Sequence, residues 1–248
     1  MQDYIVEPYS ALWLSVSPHL QRFDNRLIQQ LAQSTTLYHW EYQQTMDEPC
    51  SIEVALVLLH DYLKHQAEPV HLIGHGISGI VGLLYACRHP GHVASLTLLS
   101  VGANPAVTWH SHYYALRKLL PCRRSTVLLQ LARLLFGAYS ADVLHALANR
   151  LENDLDQSLT LHSLLQQTSL EVGTIGPSLF VCQGEQDVIL DPNTQIQWQQ
   201  QLREGDRFWP CPQGKHFFHY DYPQLVATQI LDYWQQVESY SPMFVQAA

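Results

Sequence analysis

The sequence predicts an α/β fold: a mostly parallel sheet with helices on both faces and a block of helices inserted before its last strands. Three observations carry this. Short apolar runs alternate with helical patterns up to residue 101, the arrangement that winds a parallel sheet. From about residue 108 to 168 the pattern is helical only, and after residue 178 the alternation resumes. The chain thus divides into a first core segment (1–107), a helical cap or lid insertion (108–172), a second core segment (173–240) and a tail (241–248).

The elements follow in order. A first strand covers 11–16, a helix 23–34 and a second strand 37–42. Ser51 stands as N-cap to a helix over 52–65, with Glu53 in its first turn, where a negative charge suits the helix dipole. A strand at 70–73 leads into a helix at 77–88, closed by His89-Pro90-Gly91. The unbroken apolar run 93–101 reads as a strand buried on both faces. Helices are then expected at 109–120, 126–136, 141–153 and 159–167, separated by Pro121, Gly137 and the Asn153-Asp154 region. A strand at 178–182 reopens the core. Asp191 caps a helix over 193–204 with Pro192 at its first position, and a strand at 207–209 and a helix at 223–237 complete the chain.

With 248 residues and 47% apolar content, one α/β unit with an insertion can bury a sizeable core. A net charge of −9 supplies no basic field for nucleic acid or anionic lipid. The five cysteines stand singly, as reduced intracellular thiols do. No apolar run approaches the ~20 residues of a membrane span, and the start lacks the layout of a signal peptide. The expectation is a soluble cytoplasmic protein with no cofactor, since no nucleotide-binding loop is found.

The segment Val70-His71-Leu72-Ile73-Gly74-His75-Gly76-Ile77-Ser78-Gly79 runs from strand through a tight turn into helix. This is the context of a nucleophile elbow, G-x-S-x-G, but here the register reads Gly74-His75-Gly76-Ile77-Ser78, with Gly76 at the nucleophile position. Asp187 follows the strand at 178–182 and His216 the strand at 207–209, so the order is elbow, acid, histidine. On these residues the chain resembles the α/β-hydrolase superfamily, near its esterase-like members with a helical cap, over almost its whole length. The resemblance implies an α/β-hydrolase fold with its N-terminal hairpin reduced, and a catalytic set of His216, Asp187 and the side-chain-free Gly76.

It also implies an oxyanion hole. One donor would be the N–H of Ile77; the other must come from the Ser17-Pro18-His19 turn, where Pro18 has no N–H and His19 is the candidate. Glycine relieves the strain of about 1–3 kcal/mol that an elbow imposes on other residues, so Gly76 fits a turn that was kept after its hydroxyl was lost. Ser78, two residues on, points elsewhere on a helix and reads as a packing or capping serine. His75, Trp109 and Tyr113 are candidate ligand contacts, the last two on an aromatic-rich first cap helix. His39, Trp40 and Tyr42 end a strand near the same region or are simply buried. The clusters His110-Ser111-His112 and His216-Phe217-Phe218-His219 lack the further ligands a metal centre requires, so no metal is assigned. The leading reading is a vacated active site that binds an apolar small molecule or a protein partner. Two alternatives stand beside it: an enzyme using His216 and Asp187 as general base, and a serine-dependent ester or thioester hydrolase carrying an inactivating substitution.

Overall fold

A computed structural model describes residues 10–43, 47, 51–105, 107–158 and 174–240. The first half runs β1 (Ser10–Ser15), α1 (Gln21–Leu31), β2 (Thr36–Glu41), α2 (Ile52–Leu63), β3 (Val70–His75), α3 (Gly76–Arg88) and β4 (Val93–Leu99). Three helices follow, α4 (Trp109–Leu119), α5 (Arg124–Phe136) and α6 (Ala141–Gln157). The chain returns through β5 (Ser178–Gly184), α7 (Thr194–Gln199), β6 (Arg207–Cys211), α8 (Phe218–Asp221) and α9 (Pro223–Tyr240). The six strands lie in the order β2-β1-β3-β4-β5-β6, and every neighbouring pair is parallel.

The two-residue period of the strands sorts their side chains between two cores. Ala11 and Trp13 face α1 and α9, packing with Leu27, Leu31, Ile230 and Trp234. Leu12 and Leu14 point the other way, into the core built with α2 and α3. A third apolar cluster belongs to the inserted helices and anchors them. Phe136 of α5 stacks on Phe217 at 4.4 Å and meets Phe23 of α1 at 4.7 Å. From β1 the chain crosses to β2 on one side, then returns to β3 on the other. The carboxyl ends of β1 and β3 therefore flank a topological switch point, where open α/β sheets form their crevice.

Several expectations move in detail. The helix expected to stop at residue 153 runs on to Gln157, because Asp154, read as a breaker, is fully buried within α6. The helix expected over 193–204 shrinks to Thr194–Gln199. At its start Asp191 Oδ1 accepts the N–H of Asn193 at 2.7 Å, which places Pro192 in a preceding turn rather than in the helix. At its end the backbone N–H of Arg203 turns to Asp206 Oδ2 at 2.9 Å. Ser51 occupies the N-cap of α2 without a side-chain capping bond. The helix at 159–167, the tail at 241–248 and the reduced opening hairpin, which rests on residues 1–9, lie outside the described residues. Among the described residues, no single helix is long and apolar enough to cross a membrane.

Candidate active site

The turn between β3 and α3 sets the geometry. Gly76 has φ +51°, a left-handed conformation that costs a non-glycine residue on the order of 1 kcal/mol. A Cβ built there meets nothing within 4 Å, so the elbow leaves room for a side chain it does not carry. The tight packing falls instead on Gly74 and Gly79. A Cβ on Gly74 would lie 2.5 Å from the Gly79 nitrogen, so strand and helix meet backbone to backbone. Gly79, one residue beyond the position expected for a closing glycine, thus does the packing. Ser78 is buried, and its Oγ accepts the N–H of Val16 at 3.0 Å, tying the loop after β1 to α3.

His216 and Asp187 meet as expected. His216 Nδ1 lies 2.9 Å from Asp187 Oδ2, and the other carboxylate oxygen accepts the N–H of Ile189 at 2.9 Å. Both side chains are buried. Burial pushes the Asp187 carboxyl up, but the charge of His216 and hydrogen bonds from His216 and Ile189 outweigh it. The carboxyl is held below its usual value and stays ionised. With Nδ1 engaged, Nε2 is the imidazole nitrogen left to the cavity beside Gly76.

Two more buried histidine–carboxylate pairs border the same place. His219 Nε2 lies 3.0 Å from Asp24 Oδ1, whose partner oxygen accepts Trp13 Nε1–H at 3.2 Å. His110 of α4 places Nε2 3.0 Å from Asp154 Oδ2 of α6. His75 donates from Nε2 to the main-chain carbonyl of His216 at 3.0 Å. Burial, then the charges of His219 and His216, hold its imidazole well below the usual value and therefore neutral. His112 donates from Nε2 to the Ile189 carbonyl at 2.7 Å, linking the inserted helices to the acid loop. The histidines of both sequence clusters thus take separate protein partners.

Between these groups lies a cavity of about 30 Å³. That space suits a water molecule or a very small polar group rather than a lipid chain. Gly76, Ile77, His75, His216 and Trp109 line it, and Asp187 stands behind His216. Tyr113 does not line it. It packs inside the insertion against Tyr114 and beneath Arg124. From the turn after β1 the wall is formed by Ser17 and Leu20, not His19, and the Leu20 N–H is already taken by the Ser17 carbonyl at 2.9 Å. Trp40 and Tyr42 stack on each other in the core at 6.5 Å, and His39 faces Gln21. Ser15, Asp24, His110 and Ser100 also line the cavity and were not singled out from the sequence as contacts there. Asp24 and His219 lie 195 residues apart, and no local pattern joins them. A larger open groove of about 860 Å³ runs outside the acid loop past His112, Glu185 and Val188, but reaches neither Gly76 nor His216.

Comparison with known proteins agrees with this architecture. A profile described as the alpha/beta hydrolase family matches residues 23–229. An uncharacterized protein of Synechocystis is 41% identical over 227 residues, covering 92% of this chain and 90% of that one. An uncharacterized protein of Nostoc is 41% identical over 225 residues, covering 91% and 90%. Among solved structures, a putative lipase from Acinetobacter baumannii superposes with a TM-score of 0.72 at 18% identity, covering 95% of this chain and 86% of that one. A thermophilic esterase from Thermogutta terrifontis gives a TM-score of 0.71 at 13% identity, covering 93% and 91%. At such identities these structures share the fold.

Proposed function

The chain belongs to the alpha/beta hydrolase family, and from that premise we propose a member that has given up serine-based hydrolysis and binds a small molecule beneath its inserted helices. The observation that carries this reading is Gly76: the elbow conformation is kept at φ +51°, and the space for a side chain is open and unfilled. Ser78 does not stand in, because its oxygen is committed to Val16. Removing the nucleophile from a serine hydrolase costs on the order of 10⁶ in kcat. The ligand's apolar part would rest on Leu20, Ile80, Val107 and Trp109, with a polar end at the elbow. Its entry requires the inserted helices to shift, since the cavity of about 30 Å³ holds no more than the polar end.

A second reading is favoured by the preserved His216–Asp187 contact of 2.9 Å. An ionised carboxylate behind an imidazole makes a general base, here directed at a bound water or a substrate C–H or O–H. One matched experiment separates the two: assay short and long acyl esters with the chain, with Gly76→Ser, and with each carrying His216→Ala. Hydrolysis only after Gly76→Ser, lost again without His216, supports the vacated site. Turnover by the unmodified chain that disappears with His216→Ala supports the general base and overturns the first reading.

A further inference from the structure

The overall charge of −9 hides a local exception. Of the 13 lysines and arginines, four fall in the run Arg117-Lys118-Leu119-Leu120-Pro121-Cys122-Arg123-Arg124, and no acidic residue occurs between Glu68 and Asp142. The run forms the turn from α4 into α5 at one end of the insertion, and all of it except Cys122 and Arg124 is exposed. Leu119, at 75%, is the most exposed large apolar side chain among the described residues, and its neighbour Leu120 is 43% exposed. Arg124 pairs with Glu152 and Asp156 of α6 at 3.0 and 2.7 Å. Arg117 donates to the Cys122 carbonyl, which leaves its charge uncompensated. Neither it nor Lys118 nor Arg123 has a carboxylate partner among the described residues.

Arg117 and Lys118 stand in the last turn of α4, where cations suit the negative end of the helix. Arg123 and Arg124 do the opposite. They are the N-cap and first residue of α5, at its positive end, with no side-chain cap and no acidic residue in the first turn. Helix stability does not explain cations there. Single exposed leucines are ordinary, but an adjacent pair bracketed by unpaired cations has a specific fit. At the surface of an anionic bilayer the cations reach headgroup phosphates while the leucines enter the acyl boundary, with the basic side chains' apolar stems beside them. A protein partner fits less well, since two leucines at a turn fall far short of the ~800 Å² that each side of a stable interface buries. We infer that the α4–α5 turn docks the protein on an anionic lipid surface, with Leu119 and Leu120 inserted and Arg117, Lys118 and Arg123 among the headgroups. Trp109 and His110, at the other end of α4, line the cavity about 15 Å away, so the lipid would lie one helix length from the site. The assignment does not depend on how Gly76 is read.

Flotation of the full-length chain tests it, with vesicles of equal parts phosphatidylglycerol and phosphatidylcholine against phosphatidylcholine alone. Each cation near an anionic surface strengthens binding about fivefold. The anionic vesicles are therefore expected to bind at least about tenfold more tightly, a preference that falls as salt is raised. Lys118→Gln with Arg123→Gln should weaken that binding about twentyfold, and Leu119→Ser with Leu120→Ser by about tenfold or more. All four side chains are exposed, so neither pair should change the thermal midpoint. Absence of flotation, equal binding to the two compositions, or binding unaffected by either pair overturns the assignment. Heparin supplies a polyanion without an apolar phase. Vesicle binding that heparin competes away and the serine pair leaves intact would assign the turn to a polyanion and overturn the lipid surface.

Discussion

His75 donates Nε2–H to the main-chain carbonyl of His216 at 3.0 Å, so the residue before the elbow holds the loop that carries the base. Ser100 Oγ shares that acceptor at 2.7 Å from the end of β4, where the chain has an unusual φ of +50°. The His216 imidazole is therefore fixed from two strand ends as well as by Asp187. Replacing His75 by Phe keeps an aromatic ring against Phe217, 4.5 Å away, and removes only the donor. The expected stability loss is about 1 kcal/mol in urea unfolding, the usual net worth of one buried hydrogen bond. In a Gly76→Ser background the same change should lower kcat about tenfold or more, because a misplaced base is costly. An unchanged kcat would show that Ser100 alone holds the loop.

The glycines of the elbow should separate conformational strain from steric conflict. Gly76→Ala meets no atom within 4 Å but must adopt φ +51°, so a loss of about 1 kcal/mol is expected. Gly74→Ala places a methyl 2.5 Å from the Gly79 backbone, and Gly79→Ala places one 2.6 Å from Val101 Cγ2 and 2.7 Å from the Gly74 carbonyl oxygen. Backbone cannot yield as a flexible side chain can, so losses above about 3 kcal/mol are expected at both. Chemical denaturation of the three variants checks the ranking, and a Gly76→Ala variant as damaged as Gly74→Ala would refute it.

The difference between those glycines marks how far the residues could be read without coordinates. The alternation of strand and helix, the insertion, the elbow and the Asp187–His216 pair were all legible, because each rests on local periodicity or on the position after a strand. What was not legible depends on contacts between distant segments. Asp154 read as a polar break since its partner, His110, is 44 residues away across the insertion. Ser15 is an ordinary strand-end residue by local pattern, and only the pairing of β1 with β3 brings it to the cavity. Tyr113 and Trp109 share a helix with an aromatic pattern. They lie one turn apart on the same face and in the same apolar cluster, yet only Trp109, a turn nearer the start of α4, lines the cavity. A one-sequence pattern carries helix periodicity but not which face meets which neighbour.

Stability should fall as the solution becomes acidic, and His71 supplies a measurable part. Its ring is buried on β3, bonded through Nδ1 to Ser95 Oγ at 2.7 Å and stacked on Trp234 at 4.9 Å. Burial lowers it from 6.5 to about 4. Because the folded form disfavours the proton, the unfolded chain binds it first. The stabilising contribution is therefore complete above pH 6.5 and is lost as pH falls toward about 4. At 1.36 kcal/mol per unit this amounts to no more than roughly 3 kcal/mol. His75 is shifted in the same direction and adds to the slope, whereas Asp187 acts only below the ordinary carboxyl range. Urea midpoints measured between pH 7 and pH 4 should decline, and His71→Gln should flatten the decline. Equal slopes for the two chains would exclude His71 as a source.

The His110–Asp154 pair decides how firmly the insertion covers the cavity. It joins α4 to α6 at 3.0 Å, with Asp154 fully buried and His110 also on the cavity wall. The bond is imperfect on both sides, since His110 Nδ1 and Asp154 Oδ1 have no partner among the described residues. Taking such a pair out of water costs most of what their attraction returns, so the pair as a whole adds little net stability. Removing one member is a different matter, because the other is left buried without its partner. Asp154→Ala should therefore destabilise by about 3–5 kcal/mol, while His110→Leu combined with Asp154→Leu should recover most of that loss. The insertion's apolar cluster reaches the core through Phe23, Phe136 and Phe217, so the damage should appear first in α4 to α6 rather than in the sheet. Hydrogen exchange would register it as faster exchange in residues 109–157 with β1, β3 and β4 unaffected. Uniform acceleration across insertion and sheet would mean instead that the two unfold as one unit, and that nothing can enter beneath the inserted helices without opening the whole fold.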